Sequence, residues 1–541
     1  MHVTLVAINA KHFHKSLAPW CLKARMEEQV FDANVKIIET DINTHVDEIL
    51  HEILCTMPDI VGFSCYIWNI DHVVRLGNLL KKLRPDIKII LGGPEVSFEE
   101  HAKRYPFCDC IVRGVGEDAF CDVVWHIQNN VSHDGEIPPF IDGCFKDFKN
   151  FPSPFTQAYF NSLANDKIPV GKKLIYYESV RGCPFSCAYC LSSATQGVEY
   201  LPITRVKKEL HLLLTFGVQT IKFVDRTFNA DKKRCAQILE FVRELDTTCV
   251  FHFEVAADLF DDTLFSIIES MPIGRVQFEI GVQSINESVL TAVNRKTDTN
   301  IVLANTKKLV SFGNCHIHIG LIAGLPSETL EMFKKGIDAC CAIGAQCVQL
   351  GFLKMLKGAN ILKMQFGAIF APYAPYEVFQ TNTISFYEMA RLKKVEHVID
   401  RFYNSGGYFE TIHFFANKIF GSYFDFFEKF TEYLLQHTSS FNVSLKNAYA
   451  LLHHFLLENG ASAIELAHYI KLDCFSYDRN GLSMPDIICT MRDKVKENAF
   501  SNDIQKGIQY RVEQFPLDNT YRLFVYDKKN PINNRYNNRI V

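Results

Sequence analysis

Hydrophobic and polar positions along this 541-residue chain follow two periods, and the stretches where each dominates divide it into three regions. From residue 1 to about 130, short β-branched runs at Val3–Ile8, Val35–Glu39, Ile60–Ser64, Ile87–Leu91 and Asp109–Val112 read as strands. Between them, Ser16–Gln29, Val46–Cys55, Asp71–Leu83 and Glu117–Gln128 carry helical spacing. Such alternation predicts a doubly wound parallel sheet, Rossmann-like, whose ligands bind beyond the carboxyl ends of the strands. Three of those ends bear distinctive loops: Ser64-Cys65-Tyr66-Ile67-Trp68-Asn69, Gly92-Gly93-Pro94-Glu95 and Gly114-Val115-Gly116-Glu117. Residues 136–170, with Pro138, Pro139, Gly143, Pro152 and Pro154, read as a connection between domains.

A second alternation occupies 171–385. Strands at Leu174–Val180, Thr220–Val224, Val250–Val255, Arg275–Ile280, His316–Leu321 and Cys347–Gly351 alternate with helices, giving six strand-helix units, too few for the eightfold closed barrel. Past about 385 the strand signals fade, and long phenylalanine-rich segments such as Phe414–Leu435 and Leu445–Glu458 predict a separate α-helical domain over 386–541. Its aromatics read as core. The expected domains are therefore 1–135, a connection at 136–170, 171–385 and 386–541.

Composition narrows the class without fixing a function. With 57 Lys and Arg against 61 Asp and Glu, the net charge of −4 gives no global basic field, which argues against a nucleic-acid partner. The first residues lack the charged, apolar and small-residue segments of a signal peptide, and no run approaches the ~20 apolar residues of a membrane helix. A cytoplasmic protein with no membrane span is expected. Most of the 18 cysteines are scattered singly, as buried hydrophobes in a reducing compartment.

The exception is Arg181-Gly182-Cys183-Pro184-Phe185-Ser186-Cys187-Ala188-Tyr189-Cys190, three cysteines within eight residues directly after a predicted strand. Three thiolates from one loop suit three irons of a [4Fe-4S] cubane, leaving the fourth open to a small chelating molecule. A structural zinc loop, with His211 as a fourth ligand, is the alternative; it normally uses two close pairs, and no second pair follows nearby.

The cysteine spacing, with Tyr189 inside it, resembles the signature of the radical S-adenosylmethionine (SAM) enzymes. That resemblance implies a partial (β/α)6 barrel open on one side, cluster ligands at Cys183, Cys187 and Cys190, and SAM chelating the unique iron, where reductive cleavage yields a 5′-deoxyadenosyl radical. Further motifs follow in order. The backbone around Tyr189 would lie against adenine; Asp225, in Lys222-Phe223-Val224-Asp225-Arg226-Thr227-Phe228-Asn229, would face the SAM amino group. Glu254 in Phe253-Glu254-Val255-Ala256-Ala257 and Gln283 in Gly281-Val282-Gln283-Ser284 match positions that bind ribose hydroxyls. Arg295, twelve residues after Gln283, matches an arginine that pairs with the SAM carboxylate, and the turn at Gly324-Leu325-Pro326 borders adenine.

The first region resembles the cobalamin-binding domain that precedes the barrel in one large radical SAM subgroup. Asn9, Ser64, Trp68, Gly92, Gly93, Glu95, Gly114 and Glu117 carry that resemblance. The Asp-x-His-x-x-Gly motif that supplies a histidine to cobalt is absent, so His12, His14, His45 and His72 are not expected as lower ligands.

The resemblance implies a cobalamin-dependent enzyme that modifies an unactivated carbon of an unknown substrate. Methyl transfer ranks first, with rearrangement or cyclisation as the alternative and flavodoxin or ferredoxin as the class of electron donor. A methylthiotransferase fits less well: Cys21, Cys55, Cys65, Cys108 and Cys110 form no second cluster trio, and the tail reads helical rather than β-rich. An iron-sulfur electron carrier or cobalamin sensor would need neither Arg295 nor Gln283.

Overall fold

The computed structural model describes the chain except residues 30–32, 99–104, 130–136, 145–146, 195–196, 487, 489, 491, 500–506 and 516. The expected boundary at 135/136 lies outside the described residues. Two compact units divide the chain: Met1–Val255 with Thr291–Arg295 and Leu353–Val378, and Ala256–Leu290 with Lys296–Phe352 and Phe379–Val541.

The first unit begins with a six-stranded parallel sheet. His2–Asn9 lies between Asn34–Asp41 on one side and Ile60–Ser64 on the other, followed outward by Lys88–Gly92, Cys110–Gly114 and Phe140–Gly143. The order reverses between His2–Asn9 and Ile60–Ser64, so their carboxyl ends flank the crevice where such sheets take ligands. Successive strand residues point to opposite faces, each of which is buried. Val6, Ile8, Val61 and Leu91 pack with Ile53, Val73 and Leu76. Val3, Leu5, Ile60 and Ile90 pack with Phe120, Val123 and Val124 on the other face.

Three of the six barrel strands, Leu174–Tyr177, Thr220–Phe223 and Val250–Val255, belong to this unit and pair in parallel. One further pairing was not expected. His14–Lys15, just beyond the first strand of the chain, adds in parallel to Leu174–Ile175. The reading of Leu174–Val180 as one strand also needs correction: the strand stops at Tyr177, and Val180–Gly182 pairs antiparallel with Val198–Tyr200. The cause is Asp225, whose carboxylate accepts the amides of Ser179 and Val180 and so removes them from the ladder.

The second unit holds the other three barrel strands, Val276–Gln283, His316–Ala323 and Cys347–Phe352, again parallel. Helices Phe386–Val398, Phe409–Phe415, Tyr423–His437, Leu445–Glu458 and Ala463–Tyr477 follow, so the helical reading holds this far. Within the phenylalanine-rich segment Phe414–Leu435 the helix is broken at Gly421, which has φ 79°, and restarts when the Ser422 hydroxyl caps the Asp425 amide.

The tail departs further from expectation. Gln509–Phe515, Thr520–Tyr526 and Asn537–Ile540 form an antiparallel three-stranded sheet. Arg511 and Glu513 interrupt its apolar pattern, yet Glu513 is fully buried, ion-paired with Lys471 and Arg511. The helical-tail argument against a methylthiotransferase therefore falls; the missing second cysteine trio remains. Among the described residues no helix is long and apolar enough to cross a membrane.

Candidate active site

Gly182, at φ 96°, turns the chain out of its short strand and into the cysteine loop. Two segments of the first unit hold that loop: the Ala188 amide donates to the Val293 carbonyl and the Ile361 amide to the Ala188 carbonyl, both at 2.8 Å. The Asn294 side chain donates to the Ser186 carbonyl at 3.1 Å and hydroxyl at 2.7 Å.

Each thiol has a polar neighbour. Cys183 Sγ lies 3.6 Å from the Thr227 hydroxyl, and Cys190 Sγ lies 3.3 Å from the Ser192 hydroxyl and 3.5 Å from the Ser192 amide. Arg295 Nη1 approaches Cys187 Sγ to 3.9 Å and donates to the Tyr189 hydroxyl at 3.3 Å. None of the three is in a disulfide among the described residues. Three cysteines on one short loop, with the Ser192 amide and the Arg295 guanidinium able to donate to sulfur, fit a three-thiolate cubane.

The other residues expected around SAM are placed unequally. Tyr189 and Arg295 sit beside the loop, and burial pushes the Tyr189 phenol well above its usual range. Asp225 is fully buried: its Oδ1 accepts the amides of Ser179 at 2.7 Å and Val180 at 2.9 Å, and its Oδ2 accepts the Ser179 hydroxyl at 2.5 Å. It braces the turn that leads to the cysteines, and its carboxyl is not open to a ligand. Burial lifts its pKa to about 7 against those three hydrogen bonds. Glu254 lies half-buried on the face shared with Lys222, 3.7 Å from that ammonium.

In the second unit, Gln283 ends its strand with φ 67° at a register shift, and Gly324 turns with φ 91°. Sequence reasoning missed the link between their motifs: the Ser284 hydroxyl donates to Glu328 Oε1 at 2.5 Å, and Glu328 is buried with its pKa raised to about 8. Its place in the Gly-Leu-Pro-Ser-Glu run was the available signal.

At the first sheet, Asn9, Ser64, Gly92 and Gly114 all end strands. Asn9 is spent locally, donating to the His14 carbonyl at 3.1 Å and accepting the Ser16 hydroxyl at 2.5 Å. Trp68 stacks on Tyr66 with centroids 4.4 Å apart and bonds the Ile8 carbonyl, while staying partly exposed. Gly93 has φ 110°, and a Cβ there would sit 2.5 Å from the Cys65 carbonyl oxygen.

The two acids each have a partner within the protein. Glu95 is buried against Lys357 and the Tyr376 hydroxyl, both at 2.5 Å. Glu117 takes a two-pronged grip from Arg181, at 2.9 and 3.1 Å, while Arg181 also binds Glu178 at 2.6 Å and stacks over Phe148. Both carboxylates are thus turned to partners within the protein.

Comparison with known proteins agrees with this layout. Family models match at three places: a B12 binding domain over residues 3–124, the radical SAM superfamily over 177–340, and a domain of unknown function (DUF4080) over 364–528. Among curated proteins, the cobalamin-dependent radical SAM methyltransferase TokK of Streptomyces tokunonensis is 25% identical over 324 residues, 53% of this chain and 45% of that protein. The 2-(S-pantetheinyl)-carbapenam-3-carboxylate methyltransferase of Streptantibioticus cattleyicolor is 26% identical over 315 residues, 53% of this chain and 46% of that protein. The chain thus spans about half the length of these curated relatives. Among solved structures, the cobalamin-dependent SAM radical enzyme OxsB, with aqua-cobalamin and SAM bound, shares the fold: TM-score 0.60, 15% identity, 90% of this chain and 82% of that one.

Proposed function

We propose, for a chain that belongs to the radical SAM superfamily and carries a B12-binding domain, that it is a cobalamin-dependent radical SAM enzyme acting on an unactivated carbon, most directly as a methyltransferase. The carrying observation is the loop of three cysteines outside any disulfide, held by the segment that sets Arg295 beside Cys187 and Tyr189, in one unit with a B12-type sheet. The methyltransferase relatives support the choice of reaction, and OxsB, crystallised with both cofactors, supports the cofactor set.

Bound cluster, SAM and cobalamin would together supply one-electron cleavage of a sulfonium and delivery of a methyl group. The protein's own part is ligation and orientation. Cys183, Cys187 and Cys190 would hold the cluster. Arg295 offers a planar, permanently charged donor to a carboxylate, and Glu254 and Gln283 offer acceptors and donors to hydroxyl groups. Asn9, Ser64, Trp68, Gly92, Gly93 and Gly114 would border the corrin, with Glu95 and Glu117 anchoring the loops from behind. The proposed domains are 1–135, a connection at 136–170 whose strand Phe140–Gly143 joins the first sheet, 171–385 and 386–541, and a cytoplasmic flavodoxin or ferredoxin would be the electron donor.

The test is anaerobic reconstitution with iron, sulfide and hydroxocobalamin, then desalting, with the Cys183→Ala/Cys187→Ala/Cys190→Ala variant alongside. Cluster absorption lost in the variant, corrin bands kept in both, and 5′-deoxyadenosine released from SAM only by the wild type are expected. A cluster that survives the triple substitution would refute the ligand assignment. A protein that retains no corrin would refute the cobalamin assignment.

A further inference from the structure

Barrel interiors are usually filled by branched apolar side chains, yet in the first unit the less buried face of the barrel strands is polar. Alternation puts Tyr176, Lys222, His252 and Glu254 on the half-buried face of their strands, while Ile175, Ile221 and Phe253 fill the opposite one. Parallel register sets Lys222 directly between Tyr176 and His252. The short strand His14–Lys15 lengthens this row, and His14 Nδ1 comes within 3.3 Å of the Tyr176 hydroxyl. That excursion is fixed in place by Asn9, which bonds the His14 carbonyl, and by Lys173, whose ammonium donates to the His12 carbonyl at 3.2 Å.

The charges around His14 are mostly of one sign. Burial lowers its pKa, and Lys11, Lys222 and His12 lower it further. Glu254, 3.7 Å from the Lys222 ammonium, is the acid that meets this group. An ammonium, a phenol hydroxyl and an imidazole side by side make an arrangement that favours an oxyanion.

We propose that His14, Tyr176 and Lys222 form an oxyanion-binding site on this polar face of the barrel strands, which receives a carboxylate or phosphate group of the substrate. Calling its occupant the substrate rests on the functional reading above; the site itself rests on the juxtaposition of these three side chains. An anion placed there anchors one end of a small molecule and leaves its apolar carbon to be reached from the strand ends, where the cysteine loop begins.

The experiment reads the site directly, on the purified full-length chain with ¹³C-labelled histidine, the His14 resonance being assigned by its loss in His14→Gln. His14 is titrated by NMR in chloride, in inorganic pyrophosphate and in succinate at matched ionic strength. An opposite charge within hydrogen-bonding reach should raise the His14 pKa by about 0.5 to 1 unit over chloride. Pyrophosphate alone raising it assigns a phosphate-bearing ligand, and succinate alone a carboxylate. In Lys222→Met the anion-dependent rise should vanish, and in Lys222→Arg it should persist. No rise in the wild type, or an equal rise in Lys222→Met, would overturn the proposal. Neither cluster nor cobalamin enters this titration, so the functional reading can fail while the site stands, and the reverse.

Discussion

Glu328 carries the sharpest energetic consequence of the fold. It is 1% exposed; Oε1 accepts the Ser284 hydroxyl, Oε2 has no hydrogen-bond partner among the described residues, and burial raises the carboxyl from its usual 4.5 to about 8. An unfolded chain releases this proton near pH 4.5 and the folded one only near 8, so between those values the folded state binds the extra proton. Stability is then fully present below about pH 4.5 and falls as pH rises toward 8. Across that window the loss amounts to about 5 kcal/mol, taking 1.36 kcal/mol for each unit between 4.5 and about 8. Glu328→Gln keeps an acceptor for Ser284 and cannot ionise. Because two compact units are present, a global unfolding free energy is poorly defined, and hydrogen exchange on peptides covering 276–290 and 316–330 is the appropriate assay. Between pH 5 and 8 the wild type should lose several kcal/mol of local opening free energy while Glu328→Gln stays flat. Parallel pH profiles for the two proteins would refute the claim that a neutral acid sits between these turns.

Other perturbations have equally definite outcomes. Arg181→Ala strands Glu117 and Glu178, and removing one partner from a buried ion pair costs about 3–5 kcal/mol, to be read as a lowered urea midpoint of the first unit. Gly93→Ala forces a side chain onto the Cys65 carbonyl at φ 110°, and strain of about 1–3 kcal/mol should lower the melting temperature, whereas Gly217→Ala, with nothing near its Cβ, should lose only its backbone share. Arg295→Lys trades a planar fork for a point charge; SAM binding measured by equilibrium dialysis should weaken roughly tenfold, about 1.4 kcal/mol, with iron content unchanged.

What the sequence disclosed and what it hid differ by the distance over which each feature is determined. His2–Asn9 is legible as Val3–Ile8 because a central strand buried on both faces reads as one apolar run, whatever its neighbours. The cysteine loop is legible because its ligands lie within eight residues. By contrast, the end of the strand at Tyr177 depends on Asp225, more than 40 residues later, and the strand at Gln509–Phe515 looks too polar until Glu513 finds Lys471. The partners of Glu95 and Glu117, Lys357 and Arg181, are likewise remote in sequence, and no local pattern announces them.

Those two acids also lead to the last expectation. Glu117 grips Arg181, which stands two residues before Cys183. Glu95 grips Lys357, four residues before Ile361, whose amide holds the Ala188 carbonyl inside the cysteine loop. Two of the three loops at the strand ends, 92–95 and 114–117, are therefore tied by a buried ion pair to segments that lead into or hold the cysteine loop. Corrin recognition would then fall to backbone at Gly92, Gly93 and Gly114 and to the exposed face of Trp68, with the carboxylates transmitting position. If that division is right, Glu95→Gln/Glu117→Gln should lower iron and sulfide content per chain after reconstitution, although neither residue touches a cysteine, and hydroxocobalamin affinity should change less. Loss of corrin binding with an intact cluster would show instead that the two acids face the corrin, and that their ion pairs give way when it binds.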